Sequence, residues 1–567
     1  MVSSPARGHG LRAFKPGRDA TRSYPGAIRG AGAARGERVP HPPDRVRHRH
    51  LRLLTRRAAL VTSPLVALRA SLSGAPSPGA QPPAAMPRPP AAAVARAVDS
   101  LAAEAVRAGL APALGVAVAI DGRTVLARSH GLADVTAGVP ADARTLWYVA
   151  STSKSLTGFG VVLLAHAGAL RLDAPITRTL PNARWHPSVP ADSLTLAHFL
   201  SHTHRVSDRA VQQSAAFTGA VPEAQWPALL ALAPRAPTAD LAYSNLGYNV
   251  AAMAIDRVRP EGWKRYLEQA VYRPAGMHET HARVSGLDPR RIARPHRLLA
   301  DGTYATEPFF KTDATMNAAG GHLATLHDLA RWTIVQMDGG VIDGRRAFPA
   351  EVVALSHRLL ARHTRADARR FAFFDREGWG AGWDVGAYEG EPMVSRFGSY
   401  HSTRAHLSFL PGRRIGVVVM ASAGPSAVTD VVAAFAYDLE AGRPDAHARA
   451  AARMDTLRAR LDAQRRNAAA RDSARAARGR EASGRPLADL AGRYHEPAFG
   501  TVEVTARDGR LAYRWGALYG PVEAYDAPRN EWRIETAGSG EVVRFAFDGP
   551  GAARSLTLAG ATFARSP

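Results

Sequence analysis

The 567-residue chain contains no cysteine. Disulfides, thiolate metal sites and a cysteine nucleophile are thereby excluded. The absence says nothing about compartment, because a chain without cysteine folds in oxidising and reducing surroundings alike. Long apolar runs are missing too. No stretch has the roughly 18 unbroken apolar residues needed to span a bilayer as a helix, so no stable membrane span is expected. Acidic residues are scarce beside basic ones: 49 Asp and Glu against 73 Lys and Arg, a formal charge of +24. The excess is local. Residues 1–90 hold 16 Lys and Arg against 3 acids, and residues 441–485 hold 12 Arg against 5 acids, so the two tracts carry +20 of the +24. Their basic residues sit among Pro, Ala and Gly rather than on a patterned surface, which argues against a nucleic-acid partner.

Residues 1–50 are rich in Arg, Gly, Pro and His, lack apolar periodicity, and read as a disordered basic leader. Residues 51–80 resemble an export signal. Arg56 and Arg57 precede a short apolar run, and Ala75 or Ala80 follows small residues as a cleavage point. TRRAAL also resembles the twin-arginine pattern. An exported protein, periplasmic or extracellular, is the expectation; the other reading is more leader. A Pro/Ala-rich linker (81–94) follows.

Residues 95–440 read as one α+β domain. AAAVARAVDSLAAEAVRAG has helical periodicity, and ALGVAVAIDGRTVLARSHGLADV is a hairpin around Asp121-Gly122. The middle is mostly helical with Pro-rich loops. Strands return with GWGAGWDVGAYEG (378–390), and LPGRR (410–414) is a hairpin signal. A closing helix puts Val428, Val431, Val432, Phe435 and Leu439 on one face. Strands at both ends with helices between predict an antiparallel sheet that mixes N- and C-terminal strands and is flanked by helices. Residues 441–485, Ala/Arg-rich with few large apolar residues, read as an exposed helical linker. From 486 to 567 short alternating runs with DG turns predict a small all-β module, a barrel or sandwich.

Three short stretches carry chemistry. In ASTSKSLTG, Lys154 follows Ser151 by three, which on a helix places both on one face, close enough for proton transfer. A helix start also offers backbone N–H donors and a positive dipole for an oxyanion. Ser and Thr are ordinary helix caps as well, which is the plain structural reading. In AYSNLGYN, Tyr243 and Asn245 point the same way if extended; a tyrosine can shuttle a proton and an amide can hold a carbonyl. Alone they read as a core tyrosine and a turn asparagine. In SRFGSYHS, Arg396 and Gly398 alternate onto one strand face, and the glycine leaves room for a ligand beside the backbone. The plain reading of Arg396 is a solvent-facing residue on an edge strand. A fourth stretch, AHFLSHTHR, gathers His198, His202 and His204. His at i and i+4 can share a metal, but no Glu stands where a zinc protease needs its base.

The order STSK, YSN, then a cation-x-Gly strand resembles the serine β-lactamase and penicillin-binding-protein superfamily. It is most similar to the branch of class C β-lactamases, DD-carboxypeptidases and esterases. LRLDAPITRTLP, LTLAHFLSHT, AAGGHLATLHDLARW and HLSFLPGRRIGVVVMAS resemble further segments of the family, over about residues 100–440. The C-terminal strands resemble a lipocalin-like module often appended to such hydrolases.

The resemblance implies a serine hydrolase acting through an acyl-enzyme on an ester, amide or β-lactam, without metal or cofactor. It makes Ser151 the nucleophile, Lys154 its base, Tyr243 the proton shuttle and deacylation base, and Asn245 a substrate-amide contact. The oxyanion hole would be the backbone N–H groups of Ser151 and Ser399, and Arg396, Gly398 and Ser399 would border the substrate. His202 falls at a structural position. Two departures stand out. The third motif usually starts with Lys or His and here starts with Arg396, which stays protonated. HTHRV (202–206) replaces the usual His-Thr-Ser-Gly. The alternative is a non-catalytic ligand-binding protein on the same fold. The partner expected is a small-molecule or peptide substrate; the sequence does not give the oligomeric state. No candidate catalytic residue lies in 486–567, so the module is expected to be dispensable for residual hydrolysis.

Overall fold

The computed structural model describes residues 88–237, 243–364, 373–424, 427–478, 484–536 and 539–567. The leader, the export-signal segment and residues 81–87 lie outside the described residues.

Nine antiparallel strands form the central sheet. They are β1 Ala113–Ile120, β2 Arg123–Asp134, β3 Val139–Pro140, β4 Ala361–Arg362, β5 Asp375–Trp379, β6 Asp384–Tyr388, β7 Glu391–Tyr400, β8 Thr403–Leu410 and β9 Ile415–Ala421. Their order is β4-β5-β6-β7-β8-β9-β1-β2-β3. β1 reads ALGVAVAI and is buried along its whole length, because both of its faces are covered. It pairs with β2 on one side and with β9 on the other, Leu114 opposite Ala421 and Val118 opposite Val417. The sheet thus joins the two ends of the domain, as the sequence predicts. The β1–β2 turn uses Asp121 and Gly122, both at positive φ (50° and 75°), which is what a tight antiparallel hairpin needs.

One face of the sheet is covered by helices α1 (Ala91–Arg107), α5 (Val428–Glu440) and α6 (Ala446–Arg478). α5 buries Val428, Val431, Val432 and Phe435, with Leu439 half-buried. α1 begins at Ala91, inside the predicted linker. α6 corrects the reading of an exposed linker: Ala446, Ala450, Met454, Leu457 and Leu461, at helical spacing, are buried in the same apolar cluster as α1 and α5. Alanines supply a close-packing stripe that counting large apolar residues misses. The opposite face carries α2 (Ser153–His166), α3 (Leu246–Val258) and α4 (Leu326–Met337). Phe159 of α2 meets Trp332 of α4 edge-on at 5.1 Å.

The C-terminal module is a closed eight-stranded barrel. Its strands are β10 Gly492–Glu496, β11 Gly500–Arg507, β12 Arg510–Trp515, β13 Leu518–Asp526, β14 Glu531–Thr536, β15 Ser539–Ala546, β16 Ser555–Leu558 and β17 Ala561–Arg565. Alternate residues such as Val502, Val504, Leu511, Tyr513 and Trp515 turn inward. The barrel abuts the helical body at the turn after β12. Ala517 N donates to Thr218 O at 2.7 Å, and Tyr519 meets Phe309 edge-on at 5.4 Å. The contacted segment, Gln213–Thr218, borders the site described next.

Candidate active site

Ser151 stands at the entry to α2, after the two-residue strand Trp147–Tyr148. Ala150, just before it, has φ of +47°. A left-handed backbone without glycine costs about 1–2 kcal/mol, and it turns the chain so that Ser151 faces the loop carrying Tyr243. Ser151 is half-buried, whereas Ser153 to Val162 are wholly buried. α2 is therefore a core helix, and Lys154, one turn in, is held out of water.

Ser151 Oγ lies 2.6 Å from Tyr243 Oη and accepts from Lys154 Nζ at 3.1 Å. Lys154 Nζ also donates to Asn245 Oδ1 at 2.7 Å and to Ala319 O at 2.6 Å. Ala319 belongs to the AAGG segment, whose Gly321 is forced: a Cβ there would lie 2.2 Å from Asn317 N. Asn245 is pinned from its other end, donating to Gln212 Oε1 at 3.1 Å. Both ends of its amide are thus engaged by the protein. Within the Ser–Lys–Tyr group Lys154 is sealed, Ser151 is partly open and Tyr243 is the most exposed, at 40 %.

Arg396 is buried, at 2 % exposure, on β7 between β6 and β8. This overturns the reading of a solvent-facing residue on an edge strand. Its Nε donates to Ser151 O (3.0 Å), Nη1 to Asp384 Oδ2 (3.2 Å) and Nη2 to Tyr243 Oη (3.1 Å). The guanidinium lies over Trp379, 4.9 Å from the ring centre. Gly398 does face the same side, but not to admit a ligand. A Cβ there would lie 2.4 Å from Val149 O and 3.1 Å from Thr152 Oγ1, so the glycine lets β7 press against the serine's own turn. Ser399, next along, is exposed and its hydroxyl accepts from Arg404 Nη1 at 2.9 Å.

Burial dominates the electrostatics of the site. Burial pushes the Lys154 amine well below its ordinary pKa; the nearby Arg396 adds to this, and Asp208 opposes it. Asp208 is itself raised by burial, although it accepts from Asn245 N and Ser244 Oγ at 3.3 Å. His202 is lowered well below its usual value by burial first and then by Arg396, Lys154 and His204. A neutral amine beside a serine hydroxyl is a proton acceptor.

The three histidines do not converge. His198 closes a cap with Thr195, at 3.0 Å from Thr195 Oγ1. His202 accepts from Ser244 N at 3.2 Å and packs on Trp379 and Tyr243. His204 stacks on Phe199 at 4.6 Å. Among the described residues no group of three or more His, Asp or Glu could hold a metal. A cleft of about 570 Å³ lined by Glu223, Asp256, Trp263 and Lys264 lies elsewhere and contains neither Ser151 nor Tyr243.

Sequence reading missed Asp208, Gln212, Trp379 and Asp384. The signal for Asp384 was there: a lone acid between the apolar Trp383 and Val385 at the start of a strand.

A family model described as Beta-lactamase matches residues 94–443, more than half of the chain. Penicillin-binding protein 4 of Amycolatopsis lactamdurans is 24% identical over 324 residues, 55% of this chain and 81% of that protein. Protein flp of Staphylococcus aureus is matched over 48% of its own length. Among solved structures, an octameric penicillin-binding protein homologue from Pyrococcus abyssi superposes with a TM-score of 0.53 at 18% identity, covering 82% of this chain and 98% of that one. D-amino acid amidase from Ochrobactrum anthropi gives 0.52 at 19% identity, covering 62% and 98%.

Proposed function

The chain belongs to the beta-lactamase family, and on that premise we propose that it is a serine hydrolase working through an acyl-enzyme at Ser151. One observation carries the reading: a serine hydroxyl within hydrogen-bond reach of both a buried lysine amine and a half-exposed tyrosine hydroxyl. Lys154, neutral, takes the Ser151 proton directly or through Tyr243. Ser151 Oγ then bonds to the carbonyl carbon of an ester, amide or β-lactam. The tetrahedral oxyanion is held by the backbone N–H groups of Ser151 and Ser399. The carbon–leaving-group bond breaks as the proton passes to the leaving group, and water, deprotonated through Tyr243, releases the acid.

Asn245 serves chiefly to orient Lys154, since its amide is already engaged at both ends. The hydrolase unit is taken as 95–440 and the accessory module as 486–567. Residues 51–80 are read as an export signal, which N-terminal sequencing of the protein from a cell-envelope fraction checks. Among the described residues no helix is long and apolar enough to cross a membrane.

The test is covalent labelling with a fluorophosphonate or a penicillin, followed by mass spectrometry. The adduct is expected on the STSK peptide and should vanish in Ser151→Ala. Equal labelling of that variant overturns the nucleophile. No labelling by either probe, with ligand binding retained, favours the binding-protein alternative that Arg396 at the third motif raises.

A further inference from the structure

We propose that Asp384 is a positioning residue of this site: its buried carboxylate holds Arg396 against the Tyr243 hydroxyl and the Ser151 carbonyl. The proposal rests on the serine-hydrolase reading and concerns how that chemistry is set up.

Asp384 opens β6 and pairs with Ser395, the neighbour of Arg396 on β7. Its Oδ2 accepts from Arg396 Nη1 at 3.2 Å; its Oδ1 accepts from Arg376 Nη2 and lies 3.1 Å from His363 Nε2. These four side chains are nearly sealed from water, at 1 % (Asp384), 2 % (Arg396), 6 % (Arg376) and 1 % (His363) exposure. One carboxylate therefore faces two guanidinium groups. Of its three partners only Arg396 reaches the nucleophile.

The cluster is aimed as well as paired. Trp379 has Arg396 at 4.9 Å, Arg376 at 5.2 Å, His202 at 4.4 Å and Tyr243 at 5.8 Å from its ring. A guanidinium held between a carboxylate and an aromatic face has little rotational freedom. The backbone links this anion to the base. Gly382, two residues before Asp384, has φ of +94°, and a Cβ there would lie 2.2 Å from Lys154 O. The anion that aims Arg396 and the helix that carries Lys154 are thus packed against each other.

A purely electrostatic role and a positioning role predict opposite signs. The groups facing Lys154 are Arg396, Asp208, His202, Tyr243 and Tyr248; those facing Arg396 are Lys154, Asp384, His202, Tyr243, Tyr248 and, through Asp384, Arg376 and His363. If Asp384 acts only as a nearby negative charge, removing it drives the amine of Lys154 lower still, and the acid limb of activity moves to lower pH. If it positions Arg396, removing it lets the guanidinium leave, and the limb moves upward, as it does when Arg396 itself is lost.

The experiment follows fluorophosphonate labelling of the full chain and hydrolysis of p-nitrophenyl butyrate against pH, for wild type, Asp384→Asn, Asp384→Glu, Arg396→Ala and Asp384→Asn/Arg396→Ala, with circular dichroism on each. Asp384→Asn is expected to slow labelling about 30-fold or more and to raise the acid limb by roughly one pH unit. The double variant should be no slower than Arg396→Ala. Asp384→Glu keeps the charge balance, so it folds even if Asp384→Asn does not; it moves the carboxylate by one methylene and should also lose at least ten-fold. Wild-type labelling in Asp384→Glu, a limb that moves down in Asp384→Asn, or multiplicative losses in the double variant would each overturn the proposal. Failure of the serine-hydrolase reading looks different, because wild type itself would then not label.

Discussion

The Ser151 carbonyl accepts a hydrogen bond from Arg396 Nε at 3.0 Å, so the cation of the third motif is fastened to the backbone of the candidate nucleophile itself. Since Nη1 and Nη2 are taken by Asp384 and Tyr243, the guanidinium is engaged with the protein on every nitrogen. Arg396→Ala should therefore slow neutral esters and carboxylate-bearing esters alike. The expected loss is about 1.5–3 kcal/mol of transition-state stabilisation, the range for a hydrogen bond to a charged group. A loss confined to carboxylate substrates would show that Arg396 clamps substrate instead.

Lys154 and Tyr243 share one serine hydroxyl. Lys154→Ala or Tyr243→Phe should each lower kcat by about two orders of magnitude or more, with a smaller change in KM. The double variant should fall little further than the worse single one. Independent, multiplicative losses in steady-state kinetics would rule out a shared proton path.

Acid should unfold this protein through histidines that the fold keeps neutral. Burial lowers His204, His322, His357 and His401 to about 3, against an ordinary 6.5. Above pH 6.5 neither folded nor unfolded chain binds protons at these sites. Below it the unfolded chain takes up protons that the fold refuses, so stability declines from about pH 6.5 down to about 3. At pH 5 each such histidine costs about 2 kcal/mol. Urea unfolding at pH 7.5 and pH 5 should show the decline, and His357→Gln should make it shallower. Equal midpoints at the two pH values would contradict it.

Gly382→Ala tests the contact between sheet and nucleophile helix. The new methyl would collide with the Lys154 carbonyl in a backbone conformation that favours glycine. A destabilisation of about 1–3 kcal/mol is expected, together with a fall in kcat because the helix carrying the base must shift. Thermal unfolding and kinetics on the same preparation measure both; unchanged values in each would mean that the seam yields freely.

The barrel carries none of the candidate catalytic groups, yet it touches a wall of the site. Removing residues 486–567 leaves the Thr218 carbonyl without Ala517 and uncovers Phe309. The truncated protein should still label at Ser151, about ten-fold more slowly, because Gln213–Thr218 follows directly on Gln212, which holds Asn245. Full-speed labelling would mean the module is a passenger, and an unfolded product would mean it is part of the core.

Local signals carried the reading of the sequence a long way. The apolar run of β1, the Asp121-Gly122 turn and the alternation of the barrel strands are all written within ten or so residues, and each appears where its pattern puts it. Ser151, Lys154 and Tyr243 could be picked out together because their motifs are short-range in spacing and context, and the fold does bring the three side chains within hydrogen-bond reach. The surroundings of Arg396 were not. Whether a strand lies at an edge or inside a sheet depends on which distant strand pairs with it, and Asp384, Arg376 and Trp379 meet Arg396 only after β5, β6 and β7 align. The α6 stripe was missed for another reason: its few large residues, Met454, Leu457 and Leu461, sit among alanines that complete the buried stripe without looking hydrophobic.

Synthesis order adds a time axis to this sheet. Leu114 of β1 pairs with Ala421 of β9, and the Ser151–Arg396 contact spans 245 residues. At about 5–20 residues per second, the centre of the sheet waits roughly 15–60 s for its second neighbour to be made. During that interval Ser151 and Lys154 exist without Arg396, Asp384 or the strand that carries Ser399. On the serine-hydrolase reading, the growing chain would therefore be silent towards substrate. On the same reading, competence would arrive abruptly, when the last strands of the domain leave the ribosome and close the sheet.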